Sequence, residues 1–213
     1  MYQPPLFRET DRERQHALIR ENPFGLFVTA GAGGLIANGI PFVLDADGPG
    51  PGVLRGHVAR ANPQWRDCVG GCPALVVFQG PEHYVTPSWY ATKAETGKVV
   101  PTWNYAMAQA RGTARAIEDP AWLHAQIRAL TGQMEGSRAA PWAVDDAPAD
   151  FLAGQVKGIV GIEIALEALD GKWKVSQNRP EADRAGVVAG LGEIGTDAAA
   201  AMAALVAKGR TGA

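Results

Sequence analysis

The connections between the apolar runs of this chain are short, and that constrains its fold more than any other feature. Gly25-Leu26-Phe27-Val28-Thr29 reads as a strand, Gly31-Ala32-Gly33-Gly34 as a hairpin turn, and Leu35 to Leu44 as a second strand interrupted by Gly39 and Pro41. Asp45 to Gly52 (DADGPGPG) is a loop by composition, Val53 to Val58 returns as a third strand, and Ala74 to Phe78 is a continuous apolar run of strand length. Parallel strands need crossovers of about a dozen residues or more, so most of these links can join only antiparallel neighbours. Trp103 to Ile117 reads as one long strand with a bend at Gly112, and Ile159 to Val175 as strand with a turn at Asp170-Gly171.

Helices are expected at the periphery. Thr10 or Asp11 can cap a helix through Glu21 that buries Leu18 and Ile19, and Asp119-Pro120 opens another with Trp122, Leu123, Ile127 and Leu130 on one stripe. Pro148 to Lys157 forms a shorter one. Glu181 to Leu191 and Asp197 to Lys208 are alanine-rich helix formers. The fold class expected is mainly β with peripheral helices (α+β), a barrel-like sheet over residues 1–179 followed by a helical tail over 180–213. Two short helices around a tight turn raise a helix-turn-helix reading of the tail, which is disfavoured because the last helix lacks the Arg, Asn or Gln that touch base edges. The tail is expected to act as a cap or a dimer contact.

Composition narrows the class. The chain has 213 residues, 46% of them hydrophobic, which is enough for a well-buried core. No apolar run approaches the ~20 residues that span a membrane and the N-terminus has no signal-peptide core, so a cytoplasmic location is expected. A formal net charge of −2 gives no global footprint for nucleic acid. Cys68 and Cys72, with four histidines and no second cysteine pair, are expected to be thiols rather than ligands, and no metal is expected. The glycines from Gly31 do not complete a dinucleotide fingerprint, since Ile36 stands at the third glycine position.

Three segments carry candidate chemistry. Gly80 to Tyr105 packs three tyrosines and two tryptophans among Thr86, Ser88, Lys93, Thr102 and Asn104. Rings with polar tips suit a pocket for a flat, partly polar ligand, and they suit equally an aromatic core crossing between strands. In His57 to Trp65, Asn62 can cap a short helix with Pro63 at its first position. Arg60 then serves either a phosphate or a surface ion pair. Ser176-Gln177-Asn178-Arg179-Pro180 is polar and irregular, like a ligand-facing loop.

The succession Asn22-Pro23-Phe24-Gly25, GHVARANPQW (56–65), FQGPEHYVTPSWYATK (78–93), VPTWNY (100–105), PWAVDDAPADF (141–151), IVGIEI (159–164) and GKWKVSQNRPEADRAGVVAGL (171–191) resembles the PaiB family of FMN-binding negative transcriptional regulators. The resemblance implies a split β-barrel of the flavin reductase and pyridoxamine-phosphate oxidase type. It also implies a homodimer with FMN at or near the subunit interface. Gly39 and Gln109 depart from it, standing where the family commonly has histidine. FMN presents a phosphate, a ribityl chain and a flat ring. Arg60, Asn62 and the backbone after His57 are expected at the phosphate, Trp103 at the ring, and Lys93, Thr102, Gln177 and Asn178 at polar contacts. The function implied is a negative transcriptional regulator or flavin-dependent sensor, the alternative an FMN-dependent oxidoreductase on a small molecule. No catalytic acid-base pair stands out, and DNA is implied as a partner by the resemblance alone.

Overall fold

Strands and helices form where turn chemistry and capping residues allow. The computed structural model describes residues 1–31 and 33–209. In chain order they comprise β1 (Arg8–Glu9), α1 (Arg12–Glu21), β2 (Phe24–Gly31), β3 (Gly34–Pro41), β4 (Val43–Asp45), β5 (Val53–Ala59) and β6 (Cys72–Val85). There follow α2 (Thr92–Thr96), β7 (Thr102–Ile117), α3 (Pro120–Glu135), α4 (Ala149–Lys157), β8 (Ile159–Lys174), α5 (Glu181–Ile194) and α6 (Asp197–Lys208). The sheet runs β3-β2-β6-β7-β8-β5-β4, with β1 beside β8. The registers of β2 with β3 and β6, of β5 with β4 and β8, and of β1 with β8 are all antiparallel. The mainly-β class with peripheral helices is thus realised. No helix among the described residues is long and apolar enough to cross a membrane.

Several boundaries differ from the sequence reading, each for a physical reason. The apolar run at Ala74 does not stop at Phe78: β6 continues through Gly80 and Pro81 to Val85, so the start of the aromatic-rich stretch is strand. The expected turn at Asp170-Gly171 is absent because β8 stays extended there, with Glu9 opposite Gly171 and Arg8 opposite Lys172. The strand expected from Leu35 to Leu44 divides at Phe42 into β3 and β4. On α3 the buried positions are Leu123 and Gln126, while Trp122, Ile127 and Leu130 are half-buried. Helix α5 runs on to Ile194 and ends at Gly195, which takes the left-handed φ of 72° that favours glycine.

By compactness the chain divides into two units. The first comprises Met1–Asp11, Gln79–Ala108 and the described residues from Asp170 onwards, so the tail expected from residue 180 lies within it. Its core includes Val85, Tyr90, Ala106, Trp173 and Val175 with Val187, Leu191, Met202 and Val206 of the two last helices. Trp89 docks on α5 where Gly186 and Gly190 leave room: a Cβ on Gly186 would lie 1.9 Å from the Trp89 carbonyl oxygen, and one on Gly190 2.3 Å from its indole.

The second unit comprises Arg12–Phe78 and Gln109–Leu169. Its core centres on Phe27, Phe42 and Phe78, stacked edge to face with centroids 6.3 and 6.0 Å apart. Leu18 and Ile19 of α1 are buried as their spacing predicted, as are Leu54, Ile162 and Ile164. Buried Gln64 is fully used. Its Nε2 donates to the carbonyls of Phe27 and Ile36 and to Thr29, and its Oε1 accepts from Asn38 at 2.8 Å.

Candidate functional site

In the first unit, β6 and β7 put Tyr84 and Trp103 at the surface. They meet edge to face at 5.9 Å and remain 43% and 48% exposed. Large rings left this open offer stacking area to a flat ligand. Trp103 Nε1 donates to the Glu82 carboxylate. The 3-10 turn Pro87–Trp89 begins at Thr86, whose Oγ1 accepts from the Ser88 N–H. Exposed Lys93 folds back to donate to Ser88 Oγ at 3.1 Å.

The end of β8 adds a cationic group. Lys172 and Lys174 share a strand face. Lys172 is buried with its Nζ 5.3 Å from the Tyr2 ring centroid and 5.4 Å from that of Tyr105. Lys174 Nζ donates to Thr102 Oγ1 and, at 3.0 Å, to the Trp103 carbonyl. Burial pushes the Lys174 ammonium below the usual lysine range; Tyr105 works against that shift, while Lys172 and Arg179 add to it. Arg179 lies 4.4 Å over the Tyr90 ring. Lys174, repelled by Lys172 and by Arg179 and bonded to the backbone of the exposed Trp103, is a donor that an anion would stabilise.

The loop after β8 is built on its own backbone. Gln177 Oε1 accepts from the Val175 N–H at 2.7 Å, and its Nε2 donates to the carbonyls of Leu6 and Trp173. Ser176 holds a left-handed φ of 61° and accepts from Asn104 Nδ2 at 2.8 Å. Asn178 is exposed.

In the second unit, Asn62 caps the 3-10 helix Pro63–Cys68 by accepting from the Gln64 N–H at 3.0 Å, as its position before proline predicted. Arg60 is heavily engaged: Nε donates to the Lys157 carbonyl at 2.9 Å, Nη2 to that of Ile159 at 3.2 Å, and Nη1 to Glu118 at 2.5 Å. A phosphate at this guanidinium would have to displace Glu118. His57 meets Gln126 Oε1 at 2.7 Å; that oxygen can only accept, so His57 donates from Nδ1. Both cysteines are free and buried, with sulfurs 3.0 Å apart.

Of the eight expected site residues, Lys93, Thr102, Trp103, Gln177 and Asn178 belong to the first unit and His57, Arg60 and Asn62 to the second. Among them the structure ties Thr102 and Trp103 to one shared partner, Lys174. Lys172 and Lys174 were missed although a signal existed: alternate lysines in Gly171-Lys172-Trp173-Lys174 share a face if the segment is a strand, and the expected turn hid that.

This architecture is that of the split β-barrels. It is similar to the structure of the FAD and heme binding protein from Mycobacterium smegmatis, with a TM-score of 0.56 and 21% identity over 78% of this chain and 72% of that one. The chain belongs to the family described as a putative FMN-binding domain, which matches residues 1–168. It is 34% identical to protease synthase and sporulation protein PAI 2 of Bacillus subtilis over 88% of this chain and 87% of the relative. It is 41% identical to an uncharacterised protein of Emericella nidulans over 97% and 96% of the two chains.

Proposed function

We propose that this chain binds FMN and acts as a flavin-dependent regulatory or sensor protein. The binding part rests on one observation above others: Lys174, within electrostatic reach of Lys172 and Arg179, donates to the backbone of the exposed Trp103, whose ring meets Tyr84. A doubly ionisable phosphate and a flat ring fit that chemistry, the first against the cations, the second against the indole. Lys174 holds the phosphate end with Thr102, Trp103 walls the ring, and exposed Asn178 and the donors of Lys93 not taken by Ser88 reach polar atoms of the ligand. Gln177 fixes the loop that carries Asn178 and Arg179. Bound FMN would supply electron transfer, and the protein's part is to bind, orient and shield it. The regulatory part follows from the resemblance to the PaiB family.

Denaturing the purified protein and recording the absorbance and mass of what it releases tests the cofactor. FMN is the expected product, and Lys174→Ala should weaken FMN binding by about tenfold or more, since a charge-assisted contact contributes ~1.5–3 kcal/mol. Absence of both released flavin and saturable binding of added FMN would end the proposal. Flavin bleaching by NAD(P)H with multiple turnovers would instead favour an oxidoreductase, and a flavin-sensitive gel shift on promoter DNA a direct repressor.

A further inference from the structure

In the second unit, α3 crosses the strand face that carries Arg55, His57 and Glu163. Arg55 stands opposite Glu163 and His57 opposite Gly161 in the antiparallel register of β5 and β8. Gly161 lets Trp122 lie on the strand, since a Cβ there would come within 2.3 Å of the ring, and Trp122 Nε1 then reaches Glu163 at 3.3 Å. Further along the helix, α3 presents only the small side chains of Ala125 and Ala129. A cavity of about 420 Å³ remains, walled by Val43, Ile117 and Trp122 and edged by Arg55, Glu163 and Gln126.

Two features of that edge specify a ligand. Gln126 is 3% exposed and its Oε1 is taken by His57, but Nε2 has no partner, which leaves a buried donor facing the cavity it lines. Arg55 is held by two carboxylates, Glu163 at 3.0 Å and Asp45 at 2.9 Å. One cation between two anions disfavours a further anion. On Glu163 a single oxygen, Oε2, takes both Arg55 and Trp122. Its Oε1 is the acceptor that complements the Gln126 donor.

We propose that this cavity binds a small, neutral, planar molecule carrying an amide, such as an aromatic carboxamide. The carbonyl accepts from Gln126 Nε2, the amide N–H donates to Glu163 Oε1, and the ring lies among Trp122, Ile117 and Val43. The pairing needs both hydrogen-bond senses side by side, which an amide supplies and a carboxylate does not.

Ligand-observed NMR titration of the full chain with benzamide, and with benzoate as its anionic isostere, tests the assignment. Saturable benzamide binding is expected, with benzoate weaker by about tenfold or more. Ala129→Phe, which fills the cavity without touching its polar groups, should abolish binding, and Gln126→Leu should weaken it by about tenfold. Where Gln126→Leu does not fold, Ala129→Phe carries the comparison. FMN at saturation should leave benzamide affinity unchanged, because the flavin proposal concerns residues of the first unit. Absence of saturation, equal binding of benzoate, indifference to Ala129→Phe, or displacement by FMN would each overturn the inference.

Discussion

Arg60 and Lys174 show how far a residue's surroundings decide its role. Arg60 has the residue type and the motif expected of a phosphate ligand, yet its partners Glu118, Lys157 and Ile159 lie far along the chain. No local pattern could disclose them. Its ion pair is partly exposed and contributes little, so most of its stabilisation comes from the two carbonyl contacts. Arg60→Ala is expected to lower unfolding free energy by about 1–2 kcal/mol in denaturant titrations while leaving FMN affinity unchanged. For Lys174, the depressed ammonium loses its proton before an ordinary lysine does. FMN affinity should therefore fall as pH approaches the ordinary lysine value of 10.5, and Lys174→Ala should remove that alkaline limb. Cys68 shifts the other way. Burial chiefly, helped by Cys72 and Asp67, raises its thiol above the ordinary 9.0. Above that pH the unfolded chain sheds a proton the folded chain keeps, so stability should fall with rising pH, and Cys68→Ala should flatten the decline in alkaline melting curves.

At the scale of elements, legibility followed how local the deciding chemistry is. Asn62-Pro63 and Asp119-Pro120 announced their helices because cap and first turn are set by adjacent residues, and Asp119 accepts from Ala121 and Trp122 as expected. The extents of β6 and β8 were hidden because Gly80-Pro81 and Asp170-Gly171 have turn composition, and cross-strand pairing, as at β1, overrode it. The docking of Trp89 on α5 was equally silent, since glycines at 186 and 190 look like weak helix positions until the Trp89 backbone is placed against the first and its ring against the second. Gly190→Ala should destabilise by about 1–3 kcal/mol through overpacking, although Ala favours a helix by ~1 kcal/mol. Gly192, on the same helix with open space around it, provides the control: Gly192→Ala should be neutral or stabilising in the same thermal melts.

For the whole molecule, the open question raised by the fold is what covers the outer face of the β2-β3 hairpin. Phe24, Leu26 and Val28 pair with Pro41, Gly39 and Ala37, and Leu75 and Val77 continue the face on β6. No charged side chain interrupts it. Phe24 is 68% exposed, Leu26 46% and Leu35 80%. A Cβ on Gly39 would lie 2.5 Å from the exposed Phe24 ring, so a side chain there would have to turn that ring aside. β3 stands at the end of the sheet order, and an apolar face on a terminal strand invites association. If a second copy of the chain covers the face, as the family resemblance implies, a stable pairing would need about 800 Å² from each partner. Light scattering behind size-exclusion chromatography should then give a dimer, and the double variant Leu26→Glu, Leu35→Glu a folded monomer with unchanged far-UV circular dichroism. Retention of the dimer by that variant would place the subunit contact elsewhere on the molecule, and the hairpin face would need another partner.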